Sequence, residues 1–122
     1  GMNMTDLEIT RLCAEAMGLH YKLGGADNRD WPYDEDVVLY DAGPNMWNKL
    51  YFPLHDDAQA MALVKRFYIE IECPSRSHGT WTASRSALPH PYARITDSDL
   101  NRAICECVAK MQSIAVVAER VF

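Results

Sequence analysis

Residues 52–73 have the sequence FPLHDDAQAMALVKRFYIEIEC, in which a helix start, a helix and a strand follow one another directly. Asp56 stands where an N-cap belongs, and Gln59 three residues later completes a D-x-x-Q version of the capping box. Apolar residues then recur at helical spacing, which predicts a helix over residues 57–67. The alternation of YIEIEC predicts a strand with one buried face.

The neighbours His55, Asp56 and Asp57 also suggest chemistry, because these residue types bind metals and transfer protons. A metal site needs three or four converging ligands, and adjacent residues alone do not supply that geometry. Asp56 is explained as a cap, and Asp57 as a favourable charge in the first helical turn. We therefore expect a helix start here rather than a metal site.

Two other helices are predicted by caps and apolar spacing. The segment TDLEITRLCAEAMG begins with the capping pair Thr5 and Glu8 and ends at Gly18, which predicts a helix over residues 6–17. An apolar stripe from Leu100 to Ala118 predicts a final helix over residues 98–119. The expected capping box of that last helix consists of Thr96 and Asp99.

Two hairpins are predicted between these helices. The first joins strands at 37–40 and 48–52 through DAGPN, and the second joins YIEIEC to TWTASR through PSRSHG. Residues 19–31 are expected to form a loop, and the proline-containing segment 86–95 is expected to be irregular.

The predicted fold class is α+β, with a single antiparallel sheet of about four strands and three helices packed on it. The element order is α-β-β-α-β-β-α, a helix/sheet/helix sandwich in one domain spanning residues 2–122. Gly1 before Met2 is typical of a residue left by tag removal, so Met2 or Met4 is the expected natural start.

The composition excludes several classes of protein. The 122 residues are 48% hydrophobic and 24% charged, which is typical of a globular domain and not of a disordered chain. The net charge of −5 disfavours non-specific binding to nucleic acid or to anionic membranes. No apolar run is long enough to span a membrane, and the acidic N-terminal segment does not resemble a signal peptide, so we expect a cytoplasmic protein.

No metal site is expected from the cysteines or from the acidic segment. Cys13, Cys73, Cys105 and Cys107 lack the Cys-x-x-Cys pairs of structural zinc sites, and free thiols are expected. Six carboxylates between residues 27 and 41 lack the EF-hand pattern, and a solvated acidic face is expected there.

Neither a cofactor nor a catalytic centre is predicted. The three helix starts TDLE, DDAQ and TDSD each carry carboxylates, which disfavour phosphate, and no phosphate-binding glycine loop is present. The four histidines fall in predicted loops, and neither a nucleophile elbow nor a metalloprotease helix occurs. A non-enzymatic protein is therefore expected.

One segment contrasts with the acidic chain, because residues 74–95 contain no carboxylate. The candidate partner surface consists of Arg76, His78, Trp81, Arg85, Tyr92 and Arg94. Arginines among aromatic residues are typical of base-stacking surfaces. Trp81 and Arg85 lie on the same face of a predicted strand, however, which better fits a tryptophan at the rim of the core with the arginine over it.

Several segments together resemble the phage ABA sandwich domain family, small proteins of tailed phages and prophages. These segments are MTDLEITRLCAEAMG, FPLHDDAQAMALVKRF, WTAS and NRAICECVAKMQ, which occur in the family's order. The resemblance implies a sheet between helix layers, and it implies no activity, substrate or catalytic residue.

The first functional hypothesis is a phage or prophage accessory protein. It is expected to lie in the bacterial host cell and to act through association with other proteins. The alternative is a module that binds nucleic acid or another anionic partner through the hairpin around residues 76–94. Self-association is also expected, because the apolar end of the last helix extends beyond what a small sheet covers, which favours a two-fold dimer. The competing interpretation is that the tail folds back onto its own domain.

Overall fold

A computed structural model describes residues 4–24, 37–41, 49–75, 79–85 and 93–121, with side chains of the last helix as far as residue 115. These residues form three helices and six strands, which confirms the α+β class. In chain order they are α1 (Asp6–Ala16), β1 (Tyr21–Gly24), β2 (Val37–Tyr40), β3 (Lys49–Tyr51), α2 (Asp57–Phe67), β4 (Glu70–Glu72), β5 (Trp81–Arg85), β6 (Ala93–Asp97) and α3 (Leu100–Val121). Within the described ranges, no helix combines the length and the apolar character that a membrane span requires.

The ends of α1 follow the predicted caps. The Glu8 backbone N–H donates to Thr5 Oγ1 at 3.1 Å. At the other end, Gly18 adopts a φ of 70°, in the left-handed region that favours glycine. The Leu19 N–H donates to the carbonyl of Ala14 at 3.0 Å, which closes a Schellman motif.

The predicted bounds of α2 are confirmed, but only half of its capping box forms. The Gln59 N–H donates to Asp56 Oδ1 at 2.9 Å, as expected of an N-cap. The expected return of the Gln59 side chain to this cap is wrong. Its amide bonds the end of β3 instead, accepting from the Phe52 N–H at 2.7 Å and donating to the Leu50 carbonyl at 3.0 Å.

The prediction of one four-stranded sheet is wrong, because the strands form two antiparallel sheets of three. The orders are β1-β2-β3 in the first sheet and β4-β5-β6 in the second. Both predicted hairpins are confirmed as the pairs β2 with β3 and β4 with β5. Each sheet gains a strand that sequence patterns missed, β1 from the predicted loop and β6 from residues 93–95 of the predicted irregular segment. The rest of both segments, residues 25–31 and 86–92, lies outside the described residues.

The expected capping box of α3 is also wrong, because Thr96 belongs to β6 and pairs with Thr82. Asp99 takes the cap position, and its carbonyl accepts from the Ala103 N–H at 3.0 Å. The Asp99 N–H in turn donates to Asp97 Oδ1 at 2.8 Å, which makes the turn between strand and helix.

Helix α3 is the centre of the core. It packs against α1, α2, β5 and β6, and α1 in turn packs against β2. Residues 103–109 are all buried, so α3 is covered on every side rather than along one stripe. The expected sheet between helix layers is thus replaced by a helix enclosed by other elements. Beyond this region Ile114 is 40% exposed.

One polar network crosses the contact between α1 and α3. Arg102 Nη1 donates to Asp6 Oδ1 at 2.8 Å, and Arg102 Nε donates to Glu106 Oε1 at 3.1 Å. The hydrogen bond to Asp6 raises the pKa of Arg102 above its usual range. Because Glu106 is only 8% exposed, Arg102 supplies the counter-charge that a nearly buried carboxylate needs.

Candidate binding groove

The first turns of α2 and α3 meet beside Trp81 and enclose a groove of about 420 Å³. Helix α2 contributes Asp57, Ala60 and Met61, and the chain around the start of α3 contributes residues 98–101 and Ile104. The two helix starts are tied together where Asn101 Nδ2 donates to Asp57 Oδ1 at 2.8 Å. We call this feature the groove.

Trp81 reaches the groove because of its place in the second sheet. It is the first residue of β5 and pairs with Asp97 of β6. Strand alternation puts Trp81 on the same face as Ala83, which is completely buried. Trp81 itself is half-buried, because it lies at the end of the strand where the helices begin. Part of the indole is therefore available to a ligand.

The walls of the groove are apolar. Ala60 and Ile104 are buried and form its floor. Met61 is 42% exposed, and Leu100 is half-buried. Together with Trp81, these side chains form an apolar surface. Burial of an aliphatic or planar group of a ligand against this surface is favourable.

The rim of the groove is acidic. The exposed residues Asp57 and Asp99 both line it, and none of its lining residues is Lys or Arg. Asp56 and Asp97 lie one turn or less away and cap backbone N–H groups. Four carboxylates thus face the positive ends of two helix dipoles, which together carry only about one elementary charge. Arg102 also interacts with Asp97, but it is paired with Asp6 and Glu106, so the local charge is negative.

The described members of the predicted Arg/aromatic surface do not come together. Arg85 stacks over the ring of Tyr68, with 5.6 Å from the guanidinium carbon to the ring centroid, so the expected stacking over Trp81 is wrong. Arg94 pairs with Ser84 in the sheet and therefore points to the face opposite Trp81. It lies 3.9 Å from a carboxylate oxygen of Glu72.

The other three members, Arg76, His78 and Tyr92, lie outside the described residues. Of the predicted acidic segment between residues 27 and 41, only the last few residues are described.

The cysteines are free thiols, as expected, and three of them are buried. Burial raises the pKa of Cys107 to about 11. The pKa of Cys13 is also raised. The larger cause is a hydrogen bond with Cys105, and the second cause is burial. Thiols of this kind stay protonated at neutral pH and are weak nucleophiles. No cluster of three or more potential metal ligands occurs within the described part of the chain.

Sequence reasoning missed most of the groove. It identified Asp57 and Asp99 only as residues of helix starts and assigned Trp81 to a different surface. Met61 belongs to the apolar spacing that predicts the helix over residues 57–67, and Asn101 carried no distinguishing pattern. The available indication was that two helix starts rich in aspartate flank a strand with an isolated tryptophan, but only the fold shows that the three segments meet.

Comparisons with protein-family models, with curated proteins and with solved structures found no match.

Proposed function

We propose that this chain is a non-enzymatic protein-association module that holds an exposed segment of a partner protein in the groove. The observation that carries the proposal is the combination of Trp81, an apolar floor and a polar rim in one concavity of about 420 Å³. That volume suits one or two side chains, and a partly exposed tryptophan in a pocket is typical of residues that dominate binding energy.

The proposed setting is a phage or prophage, with the chain acting in the cytoplasm of the bacterial host. The support is the resemblance to the phage ABA sandwich domain family. Three of the segments that carry this resemblance contribute to the groove: FPLHDDAQAMALVKRF supplies Asp57 and Met61, WTAS supplies Trp81, and NRAICECVAKMQ supplies Asn101 and Ile104.

The alternative, a nucleic-acid-binding surface around residues 76–94, has weaker support. Its described arginines lie on opposite faces of the second sheet, and Arg94 faces a carboxylate. A base-stacking surface needs cations and aromatic rings side by side on one face.

The proposal can be tested by selecting binders from a random-peptide library against the immobilised protein. Selected peptides are then measured by fluorescence anisotropy against wild-type protein and against Met61→Lys. Met61 is exposed, so a lysine there blocks the groove while leaving the core intact. We expect binding to weaken by about 10-fold or more, as for loss of an anchoring pocket.

Leu23→Lys is the matched control, because Leu23 is similarly exposed, at 44%, and lies on β1 rather than in the groove. It should leave peptide binding unchanged. Trp81→Ala, checked for folding by circular dichroism, should weaken binding as Met61→Lys does. Peptides that bind Met61→Lys as well as wild type, or a selection that enriches no peptide, would contradict the proposal.

A further inference from the structure

Resting on the function proposed above, we infer that the groove binds one cationic side chain, an arginine or a lysine, from a basic segment of the partner protein. The occupant is assigned by charge complementarity and by the shape of the groove.

The groove is surrounded by negative charge. Asp57 and Asp99 stand on the rim, with Asp56 and Asp97 close by, and no basic residue lines the cavity. A cation gains from such a site, whereas a partner's carboxylate or phosphate is repelled.

The groove matches the two parts of a basic side chain, its charged end and its methylene stem. The face of an indole attracts an ammonium or a guanidinium group, and Trp is the strongest of the aromatic residues in this respect. The apolar floor formed by Ala60 and Ile104 suits the methylene stem. An arginine fits best, because its planar group stacks on a ring and also donates several hydrogen bonds to carboxylates.

One carboxylate of the groove is already oriented. Asn101 Nδ2 holds Asp57 Oδ1 at 2.8 Å, which fixes the carboxylate and leaves its other lone pairs for a ligand. An oriented acceptor reduces the ordering that binding otherwise requires.

The test uses N-acetyl-arginine-N-methylamide as the probe and the indole N–H resonance of Trp81 as the readout in NMR spectra. The chain has three tryptophans, so the resonance is assigned with Trp81→Phe. We expect a saturable shift with a Kd on the order of 1–10 mM, as befits a ligand of this size. The matching citrulline derivative is nearly isosteric and uncharged, and it should bind about 10-fold more weakly.

Variants of the protein test how much the negative charge of the groove contributes to binding. Asp57→Asn with Asp99→Asn removes both rim charges and keeps a side-chain oxygen at position 57 for the hydrogen bond from Asn101. This double variant should bind the arginine probe about 5-fold to 10-fold more weakly. Glu70→Gln is the control, because Glu70 is exposed on the opposite face of the second sheet and should leave the Kd unchanged.

The outcomes separate this inference from the function on which it rests. Equal binding of the arginine and citrulline probes, or groove-binding peptides that lack basic residues, would overturn the cationic occupant and leave the association function standing. A Trp81 shift with inorganic phosphate but not with the arginine probe would identify an anion site and overturn the inference. A Trp81 shift on dilution of the protein alone, abolished by Met61→Lys, would identify a second copy of the chain as the occupant. A selection that yields no groove-binding peptide, together with no shift for any probe, would overturn both proposals.

Discussion

The side chain of Gln59 is bonded to the backbone of Phe52, whose N–H donates to Gln59 Oε1 at 2.7 Å. The same amide donates to the Leu50 carbonyl at 3.0 Å, so one residue of α2 satisfies both backbone groups. Because β3 is an edge strand of the first sheet, these groups would otherwise be open to pairing with another chain. Gln59 therefore both blocks an edge and fixes α2 to the first sheet.

Replacing Gln59 with Ala should lower the free energy of unfolding by about 2 kcal/mol, since two hydrogen bonds of about 1 kcal/mol each are lost. Urea denaturation measures the change. The control is Lys65→Ala, an exposed residue of the same helix, which should cost under about 0.5 kcal/mol. Equal losses in the two variants would show that the Gln59 bonds contribute nothing net.

The N-cap of α2 gives a second prediction. Asp56→Ala removes the acceptor of the Gln59 N–H and should cost about 1 kcal/mol of unfolding free energy. Asp56→Asn should be close to neutral, because asparagine caps a helix about as well as aspartate. Chemical denaturation of both variants decides this, and an Ala variant as stable as the Asn variant would argue against a capping role.

The elements that sequence patterns identified correctly are those determined by local chemistry. The helix at Asp57–Phe67 was predicted to the residue, because a side-chain cap and apolar spacing both act within one segment. The strand Trp81–Arg85 and its pairing with β4 were also identified, but its pairing with β6 was not, because residues 93–95 belong to a segment whose prolines predicted irregular structure. In particular, β1 has two exposed residues in its centre and shows no alternation that would have marked it.

The end of β6 shows how similar local patterns compete. The segment TDSD offers two capping residues, Thr96 and Asp99, and only pairing with Thr82 assigns Thr96 to the strand. The groove was hidden for the same reason, since residues far apart in sequence form it. Its negative charge was foreseeable, however, from the carboxylates at each helix start.

Because the thiol of Cys107 is buried, we expect the protein to lose stability at high pH. Its thiol has an ordinary pKa of 9.0 in the unfolded chain and about 11 in the fold, where it is buried and donates to the Ala93 carbonyl at 3.7 Å. Between these values the unfolded chain has released the proton and the native state has kept it, so stability falls as pH rises. At 1.36 kcal/mol per unit, this group accounts for about 2–3 kcal/mol, all of it present below pH 9.

Urea titrations between about pH 8 and pH 11 should show this decline in wild-type protein. Cys107→Ala should lose less stability over the interval, and the exposed Cys73→Ala should behave as wild type. The raised pKa of Cys13 acts in the same direction and leaves part of the decline in place. A decline of the same size in Cys107→Ala would disprove the assignment to this thiol.

Arg102 offers a test of the network between α1 and α3. Arg102→Ala should lower the free energy of unfolding by about 2 kcal/mol, because Glu106 is left nearly buried without its partner. Adding Glu106→Ala should recover about 1 kcal/mol of that loss, which a double-mutant cycle measures. The control is Arg11→Ala, which breaks a similar Arg–Glu pair at 3.2 Å on the surface and should cost under about 0.5 kcal/mol.

The last prediction concerns the C-terminal turns of α3. This helix has 22 residues and is therefore about 33 Å long, and Ile114 near its end is 40% exposed although it continues the apolar stripe. We expect this exposed apolar side chain to take part in self-association, most simply as a two-fold dimer. Light scattering of the full chain should give the mass of a dimer, and Ile114→Lys should give that of a monomer without loss of helix in circular dichroism. A version ending at Gln112 should also be monomeric, whereas a monomeric full chain, or a dimer that persists in both variants, would exclude an interface at this end of α3.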